Sequence, residues 1–445
     1  MNTKPHRNAR KRESNRRQFI QSSAAGFAAG AAFVAMQSAH AAAGEDQSVR
    51  LALIGCGGRG RGLGSSFAGL KNVELAYVCD PDVEHAAAAA KSLGGKVQAV
   101  KDLRTALDDK SIEAAVIATP DHWHTPAALL ALEAGKHVYV EKPCSHNLRE
   151  GRLLVDAARR HKRLVQHGTQ SRSDALVRRG VELLREGAIG DVLVAKAWNV
   201  QRRGSIGRAE PSAPPSGLDY DLWLGPAPLV PYQANRLHYN WHWWYAFGTG
   251  DTGNDGVHEL DIARWGLGVL THPSAISAVG GKFAFDDDQQ FPDTQYAAFE
   301  YPGDGKPGNR RQLVFEMRLW SRYGLQKADN GNAFYGTKGW MLLSKRGILE
   351  VYDERNQPVP FKGESPQPAN HYQNFVDAIR GEAELAAEIE VGHLSASLCH
   401  LANISTRVGR TLRFDPAGEQ ILGDDEAAAL LSREYRKHWA RPQTS

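Results

Sequence analysis

Cysteine is scarce: four residues in 445, at positions 56, 79, 144 and 399, stand too far apart for a disulfide-stapled scaffold or a paired metal-ligand spacing. They read as small buried apolar residues, and a pairing of Cys56 with Cys79, at the ends of neighbouring strands, is left open. No apolar run reaches the roughly 20 residues needed to cross a bilayer, so no stable membrane anchor is expected. An excess of one charge is also missing, since 54 Lys+Arg face 50 Asp+Glu for a net +4, much of it in the first 17 residues. Charge therefore points to no nucleic-acid partner. Although there are 17 histidines, "HWH" and "HYNWHWW" do not converge three or four ligands at a recognisable spacing, and no metal is expected. No repeat at solenoid or propeller period is present.

What is there begins with an address. The basic stretch "RKRESNRRQFI", with twin arginines Arg16 and Arg17, precedes the Ala/Gly-rich "SSAAGFAAGAAFVAM" and a small-x-small pattern at Ala39-His40-Ala41. Residues 1–41 thus read as a signal peptide for the twin-arginine export machinery, with the mature protein periplasmic or otherwise exported.

The length predicts two folded domains. Across 49–170 the doubly apolar strand candidates "VRLALIG", "VELAYVCD", "AAVIAT", "HVYVEKP" and "RLVQHGT" alternate with helix candidates. Strands of that kind, separated by helices, predict a doubly wound parallel α/β domain. From 171 to 415 the pattern changes. A Pro/Gly-rich stretch at about 203–231 leads to the helical "HELDIARWGLG" and then to strands with no helices between them, "SAISAVGGKF" to "GILEVYD". This predicts an α+β domain with a mostly antiparallel sheet, closed by helices at "NHYQNFVDAIRG" and "HLSASLCHLANISTRVG". Residues 416–445 read as a polar peripheral tail.

Within "RLALIGCGGRGRG", Gly55, Gly57 and Gly60 satisfy G-x-G-x-x-G after a strand and at the mouth of a helix. The first glycine makes the turn, the second lets backbone approach a pyrophosphate, and the third packs helix on strand. Asp80 ends the next strand 20 residues beyond Gly60, placed to accept from ribose hydroxyls. A 2′-phosphate would meet that charge, so NAD is favoured, with NADP left open by Arg59 and Arg61. Further on, "AGKHVYVEKPCS" puts Lys142 at the carboxyl end of a parallel strand, pointing into the crevice where such sheets bind ligands. A lysine there can hold and polarise a hydroxyl. Pro143 is a candidate cis proline.

Together "LIGCGGRG", "VCD", "ATPDHWHTPAALLALEAGKHVYVEKP" and "GNDGVHELDIARWGLG" resemble the Gfo/Idh/MocA family, over roughly residues 49–415. The resemblance implies an N-terminal Rossmann domain and a C-terminal domain whose open sheet supports substrate and oligomer contacts. It also implies a homo-oligomer exchanging hydride between nicotinamide and a secondary alcohol of a sugar or polyol. Gly58, Arg59, Thr119, Pro120, His124, Glu141 and Gln170 are implied around the cofactor, and Lys142 at the reacting carbon. Where the family usually has Asp four residues before His, this chain has Asn254 before His258. Helical spacing predicts that Asn254, His258 and Asp261 share a face, with Asp261 fixing the His258 tautomer. Lys142 or His258 is the expected base, and Asn254 its neutral partner; alternatively Asn254 caps the helix and Asp255 turns inward. Loss of a carboxylate beside Lys142 would ease its deprotonation. Upstream, "RLHYNWHWW" offers Trp241 and Trp243 as faces for a sugar ring, and Arg172 stands at the domain junction where it can touch substrate. An NAD-dependent glycosidase without net redox change, or a sugar-sensing protein, are the competing classes.

Overall fold

Strands apolar on both faces need cover on both sides, and the computed structural model, which describes residues 48–94, 96–321, 323–326, 328–361, 366–367 and 369–436, supplies it. The first domain runs β1 (Val49–Ile54), α1 (Gly58–Ala68), β2 (Val73–Cys79), α2 (Val83–Ser92), β3 (Gln98–Val100), α3 (Leu103–Asp108), β4 (Ala114–Ile117), α4 (Asp121–Glu133), β5 (His137–Val140), α5 (Leu148–His161) and β6 (Val165–His167). Its sheet has the order β3-β2-β1-β4-β5-β6 with every pair parallel. The order reverses between β1 and β4, and there the carboxyl ends of the strands open a crevice. Local chemistry sets the helix starts: Asp82 caps α2 through the N–H groups of Glu84 and His85, and Asn147 caps α5 through that of Glu150.

The second domain begins with α6 (Ala175–Arg185) and β7 (Val192–Asn199). A long irregular segment follows, carrying the short α7 (Tyr220–Leu224), and a π-helical turn at Thr252–Gly256 runs into α8 (Val257–Leu267). Strands β8 (Ala275–Gly281), β9 (Thr294–Tyr301), β10 (Arg311–Arg318), β11 (Asn330–Gly336), β12 (Gly339–Ser344) and β13 (Ile348–Asp353) follow. With β14 (Leu412–Asp415) and β15 (Gln420–Ile421) they form one sheet ordered β13-β12-β11-β7-β10-β9-β8-β14-β15, antiparallel except where β7 meets β10. Phe299, Phe315 and Phe334 fill the core under α8, while Val279, Tyr296 and Tyr335 remain exposed on the opposite face.

Two expectations are corrected. Of the two closing helices, α9 (His371–Ile379) packs on the first domain rather than the second, and α10 (Ile389–Val408) lies on both. Phe375 and Val376 pack with Phe67 and Tyr139, while α10 puts Ile389 and Ala396 into the first core and Leu398, Leu401 and Ile404 into the second. Nor is the described part of the tail peripheral. After α11 (Asp425–Ala429), Arg433 pairs with the buried Glu150 at 2.8 Å and donates to the His122 carbonyl at 2.6 Å, which gives a buried carboxylate the cation it requires. The signal peptide expected at 1–41 lies outside the described residues.

Candidate functional site

At the switch point the glycine loop behaves as its spacing predicts. Gly55 has φ +91°, and a Cβ on it would stand 2.5 Å from the Ala118 carbonyl oxygen; a Cβ on Gly60 would stand 1.9 Å from that of Gly55. Gly57 and Gly58 instead face open space, with nothing within 4 Å of an added Cβ. The loop thus closes tightly onto β1 and β4 while leaving its outer side free, beside the unpaired N–H groups and positive end of α1. Asp80 is held from below by the N–H groups of Cys56 at 2.7 Å and Asp82 at 2.9 Å. Burial pushes its carboxyl above the ordinary range, against the pull of these bonds. Cys56 and Cys79 are both free thiols, Cys56 donating to the Cys79 carbonyl at 3.4 Å.

One continuous cleft is lined by Gly55, Gly57, Gly58, Arg59, Asp80, Thr119, Pro120, His124, Glu141, Lys142, Trp241 and Asn254. These come from both domains, and nearly all were expected at the site. The cleft also takes in His85, Lys101, Leu103, Asp121, Leu222, Trp223, His238, Tyr239 and His242. Among these, His85, Lys101 and Leu103 carry no motif that would have marked them. The loop arginine Arg59 turns away from Asp80 to the buried Glu141 at 2.6 Å and to the Tyr372 hydroxyl at 3.2 Å. It is therefore committed at the lysine end, not at the ribose carboxylate. Gln170 stands behind, donating to Tyr139 Oη at 2.8 Å and Glu141 Oε1 at 3.0 Å. Both ring nitrogens of His124 face carbonyl oxygens, Pro143 at 2.6 Å and Thr119 at 2.9 Å, which ties the end of β5 to the end of β4. The Lys142–Pro143 peptide is cis.

Lys142 Nζ donates to Asn254 twice, to its carbonyl oxygen and to Oδ1 at 3.2 Å. The amide of Asn254 is oriented from the other side, where Nδ2 donates to Asp251 Oδ1 at 2.9 Å. Asp251 is fully buried, pairs with Arg203 at 3.2 Å and accepts from Asn199 at 2.9 Å. No spacing rule marks Asp251. Asn254 is thus engaged with Lys142 rather than capping a helix, and Asp255 turns to Arg203 at 3.3 Å and Lys345 at 3.5 Å.

Four placements depart from expectation. Asp261 does not orient His258: its oxygens accept from the Arg172 guanidinium, both bonds 2.8 Å, and from Ser395 Oγ at 2.6 Å, while His258 Nδ1 is buried without a partner. A buried carboxylate takes a forked guanidinium in preference to a neutral ring. By the same bond Arg172, stacked 4.7 Å over Trp265, is engaged at the domain junction and lies outside the residues that line the cleft. His258 itself lies one turn beyond Asn254 rather than in the cleft wall, and burial, then Lys345 and Lys142, hold its imidazole well below the usual range. Trp243 is buried in the second core, whereas Trp241 and the half-exposed Tyr239 line the cleft, Trp241 stacked 3.6 Å from His242.

The residues present fit a dinucleotide. The loop has an open outer face at Gly57 and Gly58, a carboxylate stands at the ribose end, and Thr119 Oγ1 is buried in the cleft without a partner.

Comparisons with known proteins agree. Residues 49–169 match the family model "Oxidoreductase family, NAD-binding Rossmann fold", and 192–294 with 357–441 match its "C-terminal alpha/beta domain". A glycosyl hydrolase family 109 protein of Shewanella pealeana is 30% identical over 164 residues, 34% of this chain and 35% of its own. Levoglucosan dehydrogenase of Pseudarthrobacter phenanthrenivorans is 28% identical over 202 residues, 45% of this chain and 44% of its own. The matched stretch therefore spans less than half the length of these curated relatives. Among solved structures, the WlbA dehydrogenase of Bordetella pertussis in complex with NADH and UDP-GlcNAcA aligns with TM-score 0.63 at 20% identity, over 83% of this chain and 99% of that one. The aldose-aldose oxidoreductase of Caulobacter crescentus complexed with glycerol aligns with TM-score 0.63 at 19% identity, over 83% and 100%. With both domain models matched in order and the glycine loop, Asp80 and Lys142 assembled on one cleft, the chain belongs to the Gfo/Idh/MocA oxidoreductase family, with an NAD-binding Rossmann domain at its start.

Proposed function

We propose that this protein is an exported NAD-dependent oxidoreductase acting on a secondary alcohol of a carbohydrate, with a homo-oligomeric state as the family resemblance implies. The observation that carries the proposal is Lys142: its Nζ, delivered by the end of β5, shares a cleft with the glycine loop and meets Asn254 across the domain junction. Gly57, Gly58 and the N-terminus of α1 would hold the pyrophosphate, Asp80 the adenosine ribose, and Thr119 the inner part of the dinucleotide. A bound nicotinamide supplies a hydride acceptor and donor at the lysine end.

The chain's own contribution is to place and deprotonate the alcohol. Lys142 Nζ and Asn254 Oδ1, 3.2 Å apart, would bracket one hydroxyl: Lys142, entering as the neutral amine, takes the hydroxyl proton as hydride leaves the carbon, and Asn254 Oδ1 accepts from the ammonium so formed. Asp251 fixes which end of the Asn254 amide faces the lysine. Tyr239 and Trp241 offer flat apolar faces to the C–H side of a sugar ring and narrow the access of water.

Purification of the folded protein, release of its nucleotide on denaturation, and a sugar screen at the nicotinamide absorbance band test this directly. A sugar that reduces NAD with the wild type and not with Lys142→Ala is the expected result. Oxidation-free turnover would favour a second reading, an NAD-dependent glycosidase, for which the glycosyl hydrolase family 109 relatives speak. Release of an aryl aglycone with no net change in NAD would identify it.

A further inference from the structure

Outside the reaction centre, the structure gathers a second set of chemically capable side chains at the adenosine end of the cleft. Asp82 and His85 belong to the turn after β2 and the first turn of α2; His238 comes from the irregular segment of the second domain, more than 150 residues later. One ligand atom from each lies within 4.8 Å of the other two. His238 Nε2 stands 3.2 Å from Asp82 Oδ2, and the His85 and His238 rings lie 4.3 Å apart at 48°. We propose that Asp82, His85 and His238 form a binding site for a divalent transition metal of the zinc class, which ties the second domain to the first across the mouth of the cleft.

Four features support a cation there rather than a plain ion pair. Asp82 divides its carboxylate: Oδ1 caps α2 through the N–H groups of Glu84 at 2.9 Å and His85 at 3.3 Å, leaving Oδ2 with His238. A tetrahedral ion bound at about 2.0–2.1 Å sets its ligand atoms about 3.3 Å apart, close to the His238–Asp82 separation, and a His85 ring nitrogen lies within 4.8 Å of both ligand atoms. Asp80 stands behind, its Oδ2 3.9 Å from His85 Nδ1, adding negative charge beside the ion. The backbone already brings the two segments together, with Val83 N–H donating to the Gly217 carbonyl at 3.1 Å and Asp219 N–H to that of Pro81 at 3.0 Å. The fourth position is left for water.

A second convergent group, His272, His393 and Glu419, makes a useful contrast. There both histidines reach Glu419 Oε1 at 2.9 Å and the Arg152 guanidinium reaches the same oxygen at 2.6 Å, so a fixed cation already fills the place an ion would take. It carries no metal proposal.

The test uses the untagged full-length protein, stripped with chelator and titrated calorimetrically with ZnCl2 alone. One equivalent is expected to bind, with a matching visible band for CoCl2 and a rise in thermal midpoint on adding zinc. His85→Ala, His238→Ala and Asp82→Asn, the last of which keeps the helix cap, should each weaken zinc binding by about tenfold or more and abolish the thermal shift. Glu419→Gln should leave the titration unchanged. His85→Gln, checked by circular dichroism, replaces His85→Ala if the latter does not fold. The proposal is overturned if zinc binds no better to the wild type than to the His85/His238 double variant, or if Glu419→Gln is the variant that removes it.

Discussion

The two ends of the cleft are built on different principles. The phosphate end is backbone: glycines whose missing Cβ atoms are demanded by carbonyl oxygens 1.9 and 2.5 Å away, on a turn between β1 and α1 within one domain. The lysine end is a relay of side chains, Lys142 to Asn254 to Asp251 to Arg203, assembled from both domains and held by buried charge. The first end tolerates almost no change in shape; the second depends on each partner being the right chemical type.

The comparison can be broken at its rigid end first. Gly60→Ala puts a methyl into the Gly55 carbonyl with no side chain able to yield, and should cost about 3 kcal/mol or more of stability together with nucleotide binding, seen by denaturant melts and fluorescence titration. Gly57→Ala, facing open space, should leave the thermal midpoint nearly unchanged and weaken only the nucleotide. At the lysine end the order of effects reverses. Lys142→Ala should lower turnover by about 10²–10⁴-fold, while nucleotide affinity and melting stay close to wild type.

Arg172→Ala tests the junction that joins the two ends. If Arg172 locks Asp261, the variant loses up to about 3 kcal/mol, because the buried carboxylate keeps only Ser395 Oγ and the Arg264 guanidinium 3.8 Å away. If it bound substrate, KM would rise without a change in melting. The smallest effect is one of pH. Asp121, in the cleft and fully buried, has its carboxyl pushed up to about 6 by burial, against the pull of His124 and Thr249. A folded-state value above the unfolded one favours the protonated form, so this contribution is present below the unfolded value near 4 and is lost as pH rises through about 6. The wild-type melting temperature should carry that decline and Asp121→Asn should not.

Legibility follows the same division. The glycine loop, Asp80 and Lys142 were visible because each is tied to the end of an apolar strand, and the strand pattern placed them. Residues near α8 were harder. Helical spacing put Asn254, His258 and Asp261 on one face, but Asn254 lies in the π-helical turn before α8, and spacing could not show that Arg172, from before α6, would claim Asp261. Trp241 and Trp243 look alike in "HYNWHWW", yet one lines the cleft and the other fills the second core, because a short 3-10 turn at Asn240–Trp243 splits their directions. Similarly, α10 reads as an ordinary apolar helix, and only its packing reveals that it belongs to both cores.

By itself the sequence determined the order of strands and helices, the dinucleotide loop and the lysine at the end of β5, because backbone sterics and apolar periodicity act over a few neighbouring residues. Only the tertiary structure decided which cation each buried carboxylate would hold, which aromatic rings would face the cleft, and that Asp82, His85 and His238 would meet. Those outcomes depend on segments far apart in the chain competing for the same charge and space, and that competition is settled when the two domains close on each other.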